Sequence, residues 1–342
     1  MEEKRKISEY LDQIQRPGFL VKDNLIQVVN QAAQAMLLSP GQEFMPMLLT
    51  GSEEYAAFQE AEICLTLSIA GIPHGALISR IGEYDLVIVD TREELDEFRF
   101  MALVSMEFRE PLMQAVSSAR QQNSDAKMNH SLMKMLRMVN NMADISRYTV
   151  SAHMELRDVD SFLLELFEKT ATLMEDRAHI FYEGLQQPVY SLIDPEQLER
   201  AVWNILSNSV KFQPKNGTIH ARLTRHGRFL RLTIEDSGSG IAEKSRPRLF
   251  TQYLRQPGIE DHRQGLGLGL AIVRAVAANH GGTVLISSGK DGGTRTIMTL
   301  AIRQDDSAVL RSPRLRLDYT GGFDHALVAL ADCLSSDRYQ EL

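Results

Sequence analysis

The spacing of apolar residues changes three times along this 342-residue chain, and each change predicts a different unit. Near the N-terminus, Phe19-Leu20-Val21 and Leu25-Ile26-Gln27-Val28-Val29 flank a polar turn, Lys22-Asp23-Asn24, which predicts a hairpin. Asn30 is placed to cap a short helix running through Met36 to Leu38. Ala76 to Arg80 and Tyr84 to Val89 are strand-like on either side of a turn at Ile81-Gly82-Glu83. A polar helix over residues 1–16, ended by Arg16-Pro17-Gly18, precedes them. Residues 1–90 thus predict a small mixed α/β domain.

Residues 91–150 switch to helical spacing. Thr91-Arg92-Glu93-Glu94 has the form of a capping box. Apolar positions follow at Leu95, Phe98, Met101, Met106, Phe108, Leu112 and Val116. After a polar break, Gln121 to Asp125, a second helix carries Leu132, Met135, Leu136, Val139, Met142 and Ile145. Two helices with a short loop form an antiparallel hairpin, which cannot bury both of its apolar faces. Pairing with a second copy into a four-helix bundle solves this, so a homodimer is expected. The segment is rich in methionine, which packs adaptably. A loosely specified core accounts for that, and a bundle that shifts between packings to pass a signal is the sharper alternative.

Residues 151–302 mix both rhythms. A helix is expected from Ser161 to about Arg177, and Asp194-Pro195 starts another, with proline in its favoured first turn. Leu198, Val202, Ile205 and Leu206 form its apolar stripe, while Asn204, Asn208 and Lys211 line another face. Strands are expected at Thr218–Leu223 and Phe229–Ile234, where apolar and polar residues alternate, and at Thr283–Ser287 and Thr294–Ile302 around the turn Gly289 to Gly293. Helices on one face of a mostly antiparallel sheet make an α+β sandwich. In the tail, 303–342, Arg311, Arg314 and Arg316 precede Phe323, Leu327, Leu330 and Leu334 at helical spacing, an amphipathic segment expected to dock on its own domain.

Composition narrows the function classes. A formal net charge of -8 disfavours nucleic acid as a main partner. Cys64 and Cys333 stand far apart, giving neither a disulfide framework nor zinc spacing. The start, Met-Glu-Glu-Lys-Arg-Lys, lacks the apolar stretch of a signal peptide, and no 18-residue apolar run follows. A cytoplasmic chain with no membrane span is expected. His74 reads as a solvated loop residue.

Three short runs carry the chemistry. Asn204-Ile205-Leu206-Ser207-Asn208 puts two amides on one helix face. Asp236-Ser237-Gly238-Ser239-Gly240 ends a strand with a carboxylate followed by glycines, so backbone can pass close to a flat ligand. Gly265-Leu266-Gly267-Leu268-Gly269 opens directly into a helix, a place for phosphate oxygens. Taken together they predict an ATP pocket.

With Leu249-Phe250, Tyr253 and Arg255 lying between the two glycine motifs, these runs resemble the sensor histidine kinases. Residues 100–302 resemble their kinase core and 151–302 their Bergerat-type ATP-binding domain. The opening Gly18 to Ala33 resembles a PAS sensor domain. The resemblance implies that Asn208 binds Mg²⁺ through its side-chain oxygen and that Asn204 orients the nucleotide or a metal-bound water. Hydrolytic relatives tend to have a glutamate base at that position, and an amide is a poor base, which favours phosphoryl transfer over hydrolysis. Lys211 would neutralise phosphate charge, Phe212 would pack on the base or sugar, and Asp236 would accept from the adenine amino group. Gly238 and Gly240 would leave room for the ring. Gly265, Gly267 and Gly269 would free N–H groups for phosphates, and Thr294 would contact adenine. Residues 241–264, with Pro247, Pro257 and Gly258, would form the lid, with Arg255 reaching the nucleotide.

The chain departs from the family in the first hairpin helix. Phe100 to Leu112 matches the phosphoacceptor segment at Phe100, Ser105, Glu107, Arg109, Pro111 and Leu112, but Met106 stands where the acceptor histidine belongs. A thioether cannot accept a phosphoryl group, so Glu107, which usually assists proton removal, has no client. Glu110 replaces the threonine or asparagine that positions water for dephosphorylation. His130 and His153 are the alternative acceptors, and neither sits in a matching local pattern. Two functions stay open. One is a histidine kinase working with a response regulator receiver domain in a phosphorelay. The other is a pseudokinase whose ATP-bound bundle regulates a partner kinase or regulator.

Overall fold

The computed structural model describes residues 11, 14, 16–49, 51–57, 61–90, 92–121, 125–148, 152–240, 267–289, 292–303 and 323–340. Most of the helix expected over 1–16, the lid 241–264 and the tail arginines lie outside them. Strands β1 (Gly18–Lys22) and β2 (Leu25–Val29) pair antiparallel. Asp23 and Asn24 turn the chain at φ 52° and 64°, the left-handed backbone that a two-residue hairpin turn requires and that Asp and Asn tolerate. Asn30 then caps α1 (Gln31–Ala35), accepting from the Ala33 N–H at 2.9 Å and the Gly18 N–H at 3.0 Å. The helix stops at Ala35, short of the expected Leu38, because Leu37 adopts φ 65°.

A short helix α2 (Ser52–Ala57) leads to β3 (Ala61–Ile69), β4 (Ile72–Ile81) and β5 (Tyr84–Val89). β3 stands in addition to the strands expected. These five strands run in the order β2-β1-β5-β4-β3. Their covered face packs around Phe19, Phe44, Ile63, Leu67 and Val87, all fully buried, with the Phe19 and Phe44 rings edge to face at 5.9 Å.

Helices α3 (Arg92–Gln121) and α4 (Ala126–Tyr148) form the hairpin. Val116, Ala119, Leu132, Met133, Leu136 and Ile145 face inward, whereas Phe100, Leu103, Met106, Phe108, Met128, Met135 and Met138 stay exposed. These seven exposed side chains leave an apolar surface on the hairpin uncovered.

The third unit runs β6 (Glu155–Asp158), α5 (Val159–Met174), β7 (Ala178–Glu183), β8 (Tyr190–Ile193), α6 (Pro195–Phe212), β9 (Gly217–His226), β10 (Phe229–Asp236), α7 (Leu268–Asn279), β11 (Val284–Gly289) and β12 (Gly292–Ala301). Asp194 caps α6 by accepting from the Gln197 N–H at 3.1 Å, with Pro195 at its first turn. β6 and β8 form a separate pair, and β7 joins β9 in parallel. Leu223, Leu230, Leu232, Ile234, Met298 and Leu300 face the helices and are buried, while Arg222, Arg231, Thr233 and Arg295 alternate onto the open face. The chain is therefore an α+β protein.

Two features cross the boundaries expected from sequence. β3 pairs antiparallel with β11, Cys64 opposite Val284 and Ala61 opposite Ser287, so the sheets merge into one of ten strands, β2-β1-β5-β4-β3-β11-β12-β10-β9-β7. The C-terminal stretch also returns. α8 (His325–Ala329) and a 3₁₀ turn at Ser336–Tyr339 bury Ala326, Val328, Leu330, Cys333, Leu334 and Tyr339 in the core shared by α4, α5 and α6. Among the described residues no helix is long and apolar enough to cross a membrane.

Candidate nucleotide site

Asp236 closes β10, and its placement follows from three glycines. Its Oδ1 accepts from the backbone N–H groups of Gly238 and Thr294, each at 3.0 Å, which leaves Oδ2 for a donor from outside. A Cβ at Gly293 would lie 1.9 Å from the Asp236 carbonyl oxygen, and one at Gly238 would lie 2.9 Å from the Phe212 carbonyl oxygen. Gly240 turns at φ 70° beside the Gly293 carbonyl. Side chains at these positions would occupy the space, so the glycines let β10, β12 and the end of α6 converge on one carboxylate.

The amides of α6 sit on the neighbouring side. Asn204 is buried, its Nδ2 donating to the Arg200 carbonyl at 2.9 Å. Its Oδ1 faces Gly269, where a Cβ would come within 2.9 Å. Asn208 is half-buried one turn on, and Phe212 is 43% exposed. Gly267 caps α7 at φ 75°, so the first N–H groups of that helix are free of side-chain caps. Asn204, Asn208, Phe212, Asp236, Gly238, Gly240, Gly267, Gly269 and Thr294 are thus gathered where α6, α7 and the ends of β10 and β12 meet. Arg255 and Gly265 lie outside the described residues.

Lys211 is placed differently from the expectation of a phosphate-facing cation. Its Nζ is 2.6 Å from Asp332 Oδ2 in the C-terminal segment, and the side chain is 13% exposed. The sequence could not reveal this, because the partner lies 121 positions away.

Gln213 has no counterpart among the expected residues. Its amide oxygen and nitrogen are both enclosed without a hydrogen-bond partner, next to Phe212 and close to Gly217. Enclosed amides are normally paired, so this one stands out at the rim of the site. Its position directly after Lys211-Phe212 is the only sequence signal it offers.

His280 braces the site from behind. Its Nδ1 donates to the Val276 carbonyl at 2.7 Å while Nε2 accepts from the Asp194 N–H at 2.9 Å, tying the end of α7 to the cap of α6. Burial holds its pKa below the ordinary histidine value. Both cysteines are buried, and burial pushes the Cys64 thiol up to about 12. Among the described residues no cluster of three His, Cys, Asp or Glu side chains could hold a metal on protein ligands alone. A groove of about 600 Å³ opens on the other face of the sheet, between Phe181, His220, Arg222, Arg231 and Arg295, and none of the motif residues lines it.

The hairpin residues stand apart from this pocket. Met106 is 69% exposed on α3, Glu107 and Glu110 are exposed beside it, and Pro111 lies inside the helix. Among the described residues no hydrogen bond, ion pair or core contact joins Met106 or Glu107 to the pocket. His130 Nε2 is 2.6 Å from the Ala331 carbonyl and its ring stacks on Tyr339 at 4.9 Å. Nε2 carries the proton in that bond, which leaves the ring's lone pair on Nδ1. His153 is exposed, and its backbone N–H donates to Asp194 Oδ2 at 2.6 Å.

The family profile described as Histidine kinase-, DNA gyrase B-, and HSP90-like ATPase matches residues 193–304. That span runs from the cap of α6 to just past β12 and contains the whole site. Residues 193–304 are an ATPase domain of this family. The chain is related to sensor histidine kinases. It is 29% identical to sensor histidine kinase CusS of Escherichia coli (strain K12) over 217 residues, covering 59% of this chain and 45% of CusS. It is 24% identical to sensor histidine kinase WalK of Bacillus subtilis (strain 168) over 237 residues, covering 64% of this chain and 39% of WalK. The chain thus spans less than half the length of these relatives. A crystal structure of full-length ShkA in complex with AMPPNP has the same fold over 60% of this chain and 46% of that one, at TM-score 0.50 and 23% identity.

Proposed function

We propose that the ATPase domain binds ATP with Mg²⁺ and that the chain acts in two-component signalling. The observation that carries this reading is the Asp236 corner: a carboxylate fixed through one oxygen by two backbone N–H groups, walled by glycines, with its second oxygen left for the adenine amino group. Thr294 closes the base side, and Phe212 supplies an apolar face for base or sugar. The backbone N–H groups after Gly267 receive phosphate oxygens, and Asn208 and Asn204 present amides to the same region. Bound Mg²⁺ would neutralise triphosphate charge, and an amide donor plus phosphate and water oxygens suits its preference for a few protein ligands. Asn204 holds or orients water but removes no proton, which favours phosphoryl transfer over hydrolysis. Titration with a fluorescent ATP analogue and Mg²⁺ tests the pocket. Asp236→Asn turns an acceptor into a mixed donor and should weaken binding by about ten- to a hundredfold, the worth of a hydrogen bond to a charged group. Unchanged affinity would count against it.

Met106 favours the pseudokinase form of this reading. The helix that would present the acceptor offers a thioether flanked by exposed Phe100, Leu103 and Phe108, a surface suited to a second copy in a four-helix dimer. In that form the N-terminal PAS-like unit supplies the input, and the ATP-bound dimer acts on a partner kinase or a response regulator receiver domain. Incubated with Mg-ATP, the chain should gain no acid-labile phosphate, whereas Met106→His should acquire it if the remaining machinery is competent. Phosphohistidine at His130 or His153 of the unaltered chain would overturn this form.

A further inference from the structure

The C-terminal segment 323–340 buries an apolar face in the core among three helices, and charged and hydrogen-bonded contacts add to that docking. Asp332 sits between two cations, Arg137 of α4 at 2.7 Å and Lys211 of α6 at 2.6 Å. Arg137 meets it as an ion pair rather than through a directed hydrogen bond, and its other terminal nitrogen donates to Ser207 Oγ at 3.0 Å. Burial opposes the charge on Asp332, but Arg137 and Lys211 together hold its carboxyl below the usual range. Around this pivot, Asn129 donates to the Tyr339 carbonyl at 2.9 Å, His130 to the Ala331 carbonyl at 2.6 Å, and Lys169 pairs with Asp324 at 2.9 Å. The segment therefore ties the hairpin to the ATPase domain.

Lys211 makes the tie consequential. It lies on the α6 face that carries Asn204 and Asn208, and its ammonium cannot serve Asp332 and a triphosphate together. We propose that the C-terminal segment is an intramolecular clasp that holds the ATPase domain against α4 and withholds Lys211 from the phosphates, so that the clasp and Mg-ATP exclude one another. This rests on the ATP-site reading and adds its regulation. A lysine is a point charge that pairs with either anion, and a triphosphate competes well with one half-buried carboxylate. Without Asp332 the pivot would leave Arg137 and Lys211 as like charges facing the same space.

Two measurements on the full chain test this. In Asp332→Asn, which keeps the shape and removes the charge, hydrogen exchange across 323–340 should rise while β9, β10 and β12 stay protected. Affinity for a fluorescent ATP analogue should tighten about tenfold, within the usual range of coupling between sites. The gain should vanish when Lys211→Met is added. Because coupling is reciprocal, Mg-ATP should also raise exchange across 323–340 in the unaltered chain, which needs no variant to fold. Unchanged exchange in Asp332→Asn overturns the clasp. A rise without tighter nucleotide binding, or nucleotide binding that leaves exchange of the unaltered chain as it was, overturns the competition. If no variant binds nucleotide, the ATP reading fails and the competition with it, while the exchange data still decide the clasp.

Discussion

Arg200 and Asp144 join α6 to α4 through an ion pair with little access to water. Arg200 Nε lies 2.7 Å from Asp144 Oδ2, a second guanidinium nitrogen contacts the same oxygen, and Asn141 Oδ1 is 3.5 Å away. The side chains are only 10% and 7% exposed. Arg200→Met would leave the Asp144 carboxylate buried without this partner, a change that costs about 3–5 kcal/mol. Removing both charges, Asp144→Leu with Arg200→Met, should recover most of that, because a buried pair and a packed apolar pair are close in free energy. The chain's single tryptophan makes the assay direct. Trp203 is buried on α6, three positions from Arg200, and donates to Thr170 Oγ1 at 3.1 Å, so its fluorescence follows unfolding of the ATPase domain. With a urea dependence of about 2–3 kcal/mol per molar, the single variant should lower the midpoint by about 1–2 M. If each single variant costs under about 1 kcal/mol and the two costs add, the pair is solvated and the hairpin is not docked here in solution.

Further outcomes can be checked on the same material. Gly293→Ala should lose nucleotide binding, since its Cβ would start 1.9 Å from the Asp236 carbonyl oxygen and must displace β10 from β12; calorimetry with an ATP analogue reads this, and wild-type affinity would refute it. His280 should make the domain acid-labile. Its folded pKa lies below the ordinary value, so below about pH 6.5 the unfolded chain binds a proton that the folded chain refuses, and stability falls by up to about 1.4 kcal/mol per pH unit. Melts between pH 7.5 and 5.5 should show that slope, and His280→Gln should flatten it; parallel slopes would refute the assignment.

What could be read in the sequence was local. Asn30 and Asp194-Pro195 announced helix starts because a cap acts within three residues. Leu230, Leu232 and Ile234 announced β10 because one face of its sheet is dry and the other wet. The candidate site residues could be picked out because glycine spacing, an amide-bearing helix and a strand-end carboxylate are themselves short-range patterns. What stayed hidden was every pairing between distant segments. Nothing near Lys211 signals Asp332, and nothing in Ala61–Ile69 signals that its edge meets β11. The tail was legible as an amphipathic stripe, yet its burial among α4, α5 and α6 depends on surfaces that only the folded chain assembles.

The junction of β3 with β11 bears on how the chain is made. Cys64 meets Val284 only after roughly 220 further residues have been synthesised, so this contact is among the most non-local in the protein and cannot speed folding. At about 5–20 residues per second, one edge of β3 emerges from the ribosome and waits some ten to forty seconds for its partner. During that interval its unpaired N–H and C=O groups are a template for any other strand, including β3 of a neighbouring nascent chain. Overexpression should therefore benefit from chaperone supply, and the aggregates that form should be rich in the N-terminal segment.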